Sequence, residues 1–486
     1  MAPDLDGHEP VATSGPTAAG STDAAAPADP GTIRDATPPL QAESVGQIQS
    51  RLSQLWARAA ASRLEAARAD EEKLKAQQEA AERAAAALAA AQASDAEGRH
   101  VAARSSVLNL VVIAGDTDTA RTCAQIISGT AGRHPSRSLI ISEADPNGPP
   151  GLDASIETVT TTTAAGRRAE SGAEMVHVTA HGETGRHLAS IIVPLLVHDL
   201  PVAMWWPGQP ALSTHRSDRL LPIADRLIVD GSAWNGNGLD VLGDLAHLSE
   251  VRRPGGRVAH NRPLVIVDFA LVRQTRWREA LASVYDLPDL RPHLGAVRSI
   301  RVTYAACEEG DPDARTNVVR PLYHVAWLAA RLGMSVVEPL ARARGGHRTA
   351  LLRQRDHEVS VSLEPAMSDL GEGSTVRVEL SSKLRGAEMT GVVTAGDCTV
   401  EVVITDGGRE RVRRVYNAPR LNEVDLLSRA VEEGGVDPLA VEVLEMARRL
   451  LGAGPRAGAS FGEDAGASVG EPWSKGASYN HRRSER

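Results

Sequence analysis

Residues 107–114 read VLNLVVIA, a continuous apolar, β-branched run of the kind found in strands covered on both faces. Similar runs recur at 138–142, 175–179, 202–205, 226–229, 264–268 and 298–304. Between them, apolar residues return at helical spacing, which predicts helices over 119–128, 187–197, 239–248, 273–285 and 316–332. In the last of these Val318, Leu322, Val325, Ala329 and Leu332 share one face. Pro194 falls inside the second, where its ring removes a hydrogen bond to Ser190 and predicts a kink. Strands alternating with helices in this way predict an α/β fold built on a doubly wound, mostly parallel sheet.

From about Glu338 the pattern changes to alternation with turn signals, at 349–354, 358–363, 375–381, 389–394, 399–405 and 409–415. Asp406-Gly407 is a hairpin signal between the last two. These segments predict a smaller antiparallel β domain followed by two helices. The second helix starts with Asp437 as N-cap and Pro438 in first position, and carries Leu439, Val443, Met446 and Leu450 on one face. Near the amino end Ile48, Leu52, Leu55 and Trp56 form a helical stripe, and the Ala-, Glu-, Arg- and Lys-rich tract 57–93 extends it as a long solvated helix. The expected organisation is a disordered tail at 1–42, the long helix at 43–97, the α/β domain at 98–337, the antiparallel domain with its two helices at 338–452, and a second disordered tail at 453–486.

The net charge of -9, with basic residues interspersed among acids, argues against a nucleic-acid surface. Cys123, Cys307 and Cys398 are far apart, with neither a disulfide framework nor zinc spacing, which suits a reducing cytoplasm. No basic segment leads into an apolar stretch at the amino end, and no apolar run is long enough for a bilayer. The expectation is a cytoplasmic protein with no membrane or nucleic-acid partner.

A dinucleotide site after the first strand needs a glycine-rich turn, but the turn reads Gly115-Asp116-Thr117-Asp118-Thr119, better suited to capping a helix. His181-Gly182-Glu183-Thr184-Gly185-Arg186-His187 is not a metal motif and reads as a polar loop entering a helix. No serine-hydrolase elbow occurs. No cofactor, metal or catalytic residue is therefore expected. Three features remain. His134-Pro135-Ser136-Arg137 joins a helix end to a strand; Arg137 there either receives an anion or pairs with a carboxylate to fix the loop. Arg273, Arg276, Trp277 and Arg278 open a helix after a strand and face the carboxyl rim of the sheet, as an anion site or a partner surface. Trp205, Trp206 and Pro207 end the strand at 202–205; in a chain with only 3% aromatics, the paired tryptophans are either a contact surface or the lid of a local core.

Several stretches together resemble the glucose-6-phosphate dehydrogenase assembly protein family, OpcA. They are the Leu/Trp helix from Ile48 to Trp56, LNLVV at 108–112, HPSR at 134–137, the Leu-Pro-Val-x-x-Trp-Trp-Pro stretch at 200–207, ADRLIVD at 224–230, WREA at 277–280 and AWLAARL at 326–332. Apart from the first helix, these matches run in the family's order over about 98–333. The resemblance implies a non-catalytic protein that binds glucose-6-phosphate dehydrogenase, favours its active oligomer and raises oxidative pentose phosphate flux. It supplies no catalytic residues. The Ala-rich tract and the long tails depart from the family pattern, and three isolated cysteines carry no redox control over. Within this reading Trp205, Trp206, Pro207, Arg273, Arg276, Trp277 and Arg278 are the expected partner contacts. The alternative is a sugar-phosphate enzyme or sensor in which Arg137, Arg273 and Arg276 hold an anion at the carboxyl rim.

Overall fold

The computed structural model describes residues 32–36, 40–41, 44–54, 57, 107–131, 133–162, 168–253, 263–306, 316–343, 346–432 and 435–452. Nearly all of the Ala-rich tract and the second tail lie outside these residues. Of the amino-terminal helix, 45–54 is helical, with Ile48 and Leu52 buried in the main core.

The chain forms two sheets. The strands of the first are β1 (Thr32–Ala36), β2 (Leu40–Gln41), β3 (Leu108–Ile113), β4 (Ser136–Ala144), β5 (Gly151–Thr162), β6 (Arg168–His181), β7 (Val202–Trp206), β8 (Arg226–Val229) and β9 (Val265–Asp268). Six of them run parallel in the order β6-β4-β3-β7-β8-β9. Numbered by appearance, that is the doubly wound order 3-2-1-4-5-6, with the reversal of winding between β3 and β7. β5 extends the sheet as an antiparallel hairpin with β6. β1 and β2 pair with β5, so two short segments expected in a disordered tail are strands here.

Alternate side chains of a strand point to opposite faces, and in this sheet both faces are core. Val111 and Ile113 of β3 pack into one hydrophobic cluster, and Leu110 and Val112 into the other. β7 divides in the same way: Val202, Met204 and Trp206 go to the first cluster, Ala203 and Trp205 to the second.

The second sheet contains β10 (Val297–Ala306), β11 (Ser335–Arg342), β12 (Arg348–Gln354), β13 (His357–Met367), β14 (Thr375–Leu384), β15 (Ala387–Ala395), β16 (Thr399–Asp406) and β17 (Arg409–Asn417), in the order β11-β12-β13-β10-β14-β15-β16-β17. The strand expected at 298–304 does form, as β10, but it sits in the middle of this sheet, parallel to β13 and antiparallel to β14. Its run RSIRVTY alternates polar and apolar residues, unlike the continuous runs of the first sheet, and with Arg298 and Arg301 exposed it has one buried face.

The helix expected at 187–197 is broken. An α-helix covers Leu188–Ile192 and a 3-10 turn covers Val193–Leu195, because Pro194 has no N–H to continue the ladder. The one expected at 273–285 forms as Thr275–Tyr285, preceded by a separate single turn of helix at Phe269–Val272. The helix Val319–Arg331 lies between the sheets, buried along Leu322, Val325, Ala326 and Ala329. Asp437 caps Pro438–Leu450 through Leu439 N–H at 2.9 Å. That helix packs against Val319–Arg331 and Leu239–Val251, while Glu423–Glu432 packs on Thr117–Thr130 beside the first sheet. The two carboxyl-terminal helices thus return to the parallel sheet.

Candidate functional site

The carboxyl ends of β8 and β9 carry a network of buried and half-buried charges. Asp268 ends β9 and accepts from Gly231 N–H at 2.8 Å, Ala270 N–H at 2.8 Å and the Tyr323 hydroxyl at 2.7 Å. Its backbone neighbour must be glycine, since a Cβ on Gly231 would lie 2.7 Å from the Asp268 carboxylate. Burial pushes the Asp268 carboxyl up to about 6, with the charge of Asp230 adding to the shift. Asp230, just past β8, accepts from Arg273 at 2.7 and 2.8 Å and from the Ser232 hydroxyl at 2.5 Å. The Arg273 guanidinium also lies 5.9 Å from the centre of the Phe269 ring.

Beside this network a cleft of about 560 Å³ opens between the first sheet's rim and the loops of the second sheet. Its walls come from Arg273–Trp277, from Arg320 and His324 on the intervening helix, from 369–375 before β14, from the β15–β16 turn and from 418–421. Arg320 donates to the Ser374 hydroxyl at 3.0 Å. His324 is buried with its ring 5.2 Å from that of Trp277, and desolvation, reinforced by Arg278 and Arg320, holds its pKa down to about 3. It is neutral at physiological pH.

The expected contact residues are spread unevenly over this geometry. Trp205 and Trp206 are 3% and 6% exposed and point to opposite faces of the first sheet, so neither has surface to give a partner. Trp205 packs against Phe269, with ring centres 6.3 Å apart. Pro207 is half-buried. Arg273 and Trp277 line the cleft; Arg276 also lines it, is exposed and pairs with Glu279 at 2.7 Å. Arg278 turns inward to the Leu271 carbonyl at 2.8 Å and the Thr275 hydroxyl at 3.1 Å, and burial lowers its pKa to about 10.

The loop at His134–Arg137 lies at the opposite, amino rim of the parallel strands, so Arg137 does not meet Arg273 and Arg276 as the anion-site alternative requires. Arg137 is buried, donates from Nε to Glu174 at 2.6 Å and from Nη1 to the Leu195 carbonyl at 3.1 Å, and so works as an internal ion pair. His134 pairs with Glu432 at 3.0 Å, the Pro135 carbonyl accepts from Val107 N–H at 2.9 Å, and the Ser136 hydroxyl meets that of Ser138 at 3.0 Å.

After β3, Asp116 caps its helix and accepts from Thr119 N–H at 2.7 Å and from its hydroxyl at 2.8 Å. A carboxylate therefore holds the helix terminus at which this strand order places a pyrophosphate in dinucleotide-binding proteins. His181 pairs with Asp153 at 2.9 Å. Among the described residues no cluster of three or more His, Cys, Asp or Glu could hold a metal ion, and no helix is long and apolar enough to cross a membrane.

The cleft residues missed in the sequence include Gln274, Arg320, His324, Thr375 and Arg429. The available signal was Arg320 and His324, polar residues one turn apart in a helix otherwise read by its apolar face.

Two family models match in chain order: the glucose-6-phosphate dehydrogenase subunit N-terminal domain over residues 128–246, and the C-terminal domain of the same subunit over 265–444. The chain belongs to the OpcA family. Proteins named OxPP cycle protein OpcA from Synechocystis and Nostoc punctiforme are each 26% identical to it, over 272 and 276 residues. Those alignments cover 54% of this chain and 53% and 54% of the relatives, so the chain spans about half the length of the curated OpcA proteins it matches. Similar solved structures include a super-repressor mutant of Gal80p from Saccharomyces cerevisiae, with TM-score 0.38 and 10% identity over 71% of this chain and 94% of that one. A dehydrogenase, MviM, from Clostridium difficile has TM-score 0.32 and 9% identity over 71% and 97%.

Proposed function

We propose that this chain is a non-catalytic, cytoplasmic partner of glucose-6-phosphate dehydrogenase that promotes the enzyme's active oligomer and so raises oxidative pentose phosphate flux. The observation that carries this reading is the match of both OpcA domain models, in order, across the two sheets. Asp116 supports the non-catalytic part: its carboxylate occupies the first helix terminus and would repel a dinucleotide phosphate there. Activation requires that the chain bind the active state of the enzyme more tightly than the inactive one, each tenfold shift in population taking about 1.4 kcal/mol of difference. Of the residues expected at the contact, Arg276 is exposed and Pro207, Arg273 and Trp277 are half-buried, so these four keep surface for it.

The test is to titrate the chain into the dehydrogenase from the same organism and follow NADP reduction against glucose 6-phosphate concentration. Saturable activation, with no NADP reduction by the chain alone, is the expected result. Turnover by the chain alone, or an enzyme indifferent to it, would overturn the proposal.

A further inference from the structure

The cleft beside Arg273 is lined by polar atoms that the protein itself leaves unpaired. Gln274 is 4% exposed, and its amide nitrogen donates to the Arg320 carbonyl at 2.7 Å, but its Oε1 has no partner. His324, 2% exposed, leaves Nε2 unpaired, and Thr375, 8% exposed, leaves its hydroxyl unpaired. Nε of Arg320 is buried in the same condition. An unmet buried donor or acceptor destabilises the fold, and these four belong to side chains lining a single cleft. They come from three separate segments of the chain, and a small rotation of an amide, hydroxyl or ring would present each to a bound molecule.

The charges say what kind of molecule. Arg273, Arg276, Arg320, Arg420 and Arg429 line the cleft, against Asp369, Glu372 and Asp397. Arg273 is met by Asp230, Arg276 by Glu279, and Arg420 by Asp397 at 3.6 Å. Arg320 and Arg429 make no ion pair with the described residues, and a guanidinium in a half-buried site recruits an oxyanion. The Gln274 oxygen can only accept, so the ligand must also bring donors. Hydroxyl groups supply them, and can serve Thr375 and His324 as well. Trp277 adds an apolar wall, and a volume of about 560 Å³ suits a small metabolite.

We propose that this cleft binds a sugar phosphate, with the phosphate held by Arg320 and Arg429 and the sugar hydroxyls by Gln274, Thr375 and His324. The proposal is independent of partnership with the dehydrogenase, because the chain alone contains the whole cleft. Calorimetry on the full chain tests it with glucose 6-phosphate, fructose 6-phosphate and ribose 5-phosphate, alongside inorganic phosphate and glucose. At least one sugar phosphate should bind saturably, with inorganic phosphate at least tenfold weaker and glucose without measurable heat. Arg320→Gln and Arg429→Ala should each weaken binding tenfold or more; the half-buried Arg429 provides the test should Arg320→Gln fail to fold. No saturable binding by any of the three sugar phosphates would overturn the assignment. So would phosphate binding as tightly as its sugar esters, or undiminished binding in the folded variants.

Discussion

The two sheets of this chain are covered differently. In the parallel sheet, successive residues of β3, β7 and β8 go alternately to two hydrophobic clusters, so nearly every side chain in these strands is core. In the eight-stranded sheet only one face is core: Ile300, Val302, Val378, Leu380, Val402 and Ile404 pack inward, and the alternate positions face outward. That outer face carries a ladder of ion pairs, with Arg301 between Glu364 and Glu379, and Arg413 between Glu401 and Glu410. A sheet buried on both sides has no strand surface left for recognition and must offer its rims. The cleft forms where such a rim meets the loops of the half-open sheet.

Replacing Trp206 or Trp205 by alanine should have the largest effect, because each fills one core of the doubly covered sheet. A loss of about 3–5 kcal/mol in urea unfolding is expected for each. If either variant kept its stability and lost only activation of the dehydrogenase, burial would not be its role.

Next, Arg137→Ala removes the buried guanidinium that faces Glu174 and should cost about 3 kcal/mol or more in the same measurement, whereas the double change Arg137→Met with Glu174→Gln should cost less. Equal losses would show that the pair does not act as an internal ion pair.

A third test bears on the seam between the sheets, where two buried groups titrate with opposite effect. Asp268, at about 6 when folded against an ordinary 3.8, binds its proton more readily in the folded chain, so its contribution to stability falls as pH rises from about 4 to 6. His324, at about 3 against 6.5, binds its proton less readily when folded, so its contribution is present above 6.5 and is lost as pH falls toward 3. Between pH 4 and 6 each change is on the order of 2 kcal/mol. Asp268→Asn should therefore make stability climb more steeply between pH 4 and 6, and His324→Gln should make it fall with rising pH, both read from melting curves across that range. Unchanged profiles would contradict the burial assigned to these groups.

The smallest effect belongs to the open face. Arg301→Ala removes exposed ion pairs and should cost less than about 1 kcal/mol, screened further by salt. A loss as large as that of the tryptophan variants would mean that the outer face is covered.

The same contrast explains what was legible in the sequence. VLNLVVIA and its counterparts announce a doubly covered sheet because burial on both faces leaves few polar positions, and β12 to β17 announce themselves by alternation. β10 misleads: Ile300, Val302 and Tyr304 alternate with Ser299, Arg301 and Thr303, the pattern of a strand with one buried face, and its place in the second sheet is set by pairing with β13 and β14 far along the chain. β5, reading GLDASIETVTTT, carries too few apolar residues to announce a strand and owes its place to β6. The tryptophan pair was legible as important, with burial and partner contact both open, since a strand's exit gives no sign of what lies over it. Arg137 was visible as a special position, but its partner Glu174 is 37 residues away, on β6. The cleft was least legible, because Gln274, His324 and Thr375 meet only when the two sheets fold together.

The most direct test of the proposed partnership is sedimentation of the dehydrogenase at a fixed, dilute concentration, with and without this chain, with activity read on the same samples. The account predicts that adding the chain moves the enzyme into a heavier species containing both proteins, and that activity rises in proportion to that species. Unchanged sedimentation of both folded proteins, or a complex no more active than the free enzyme, would contradict it.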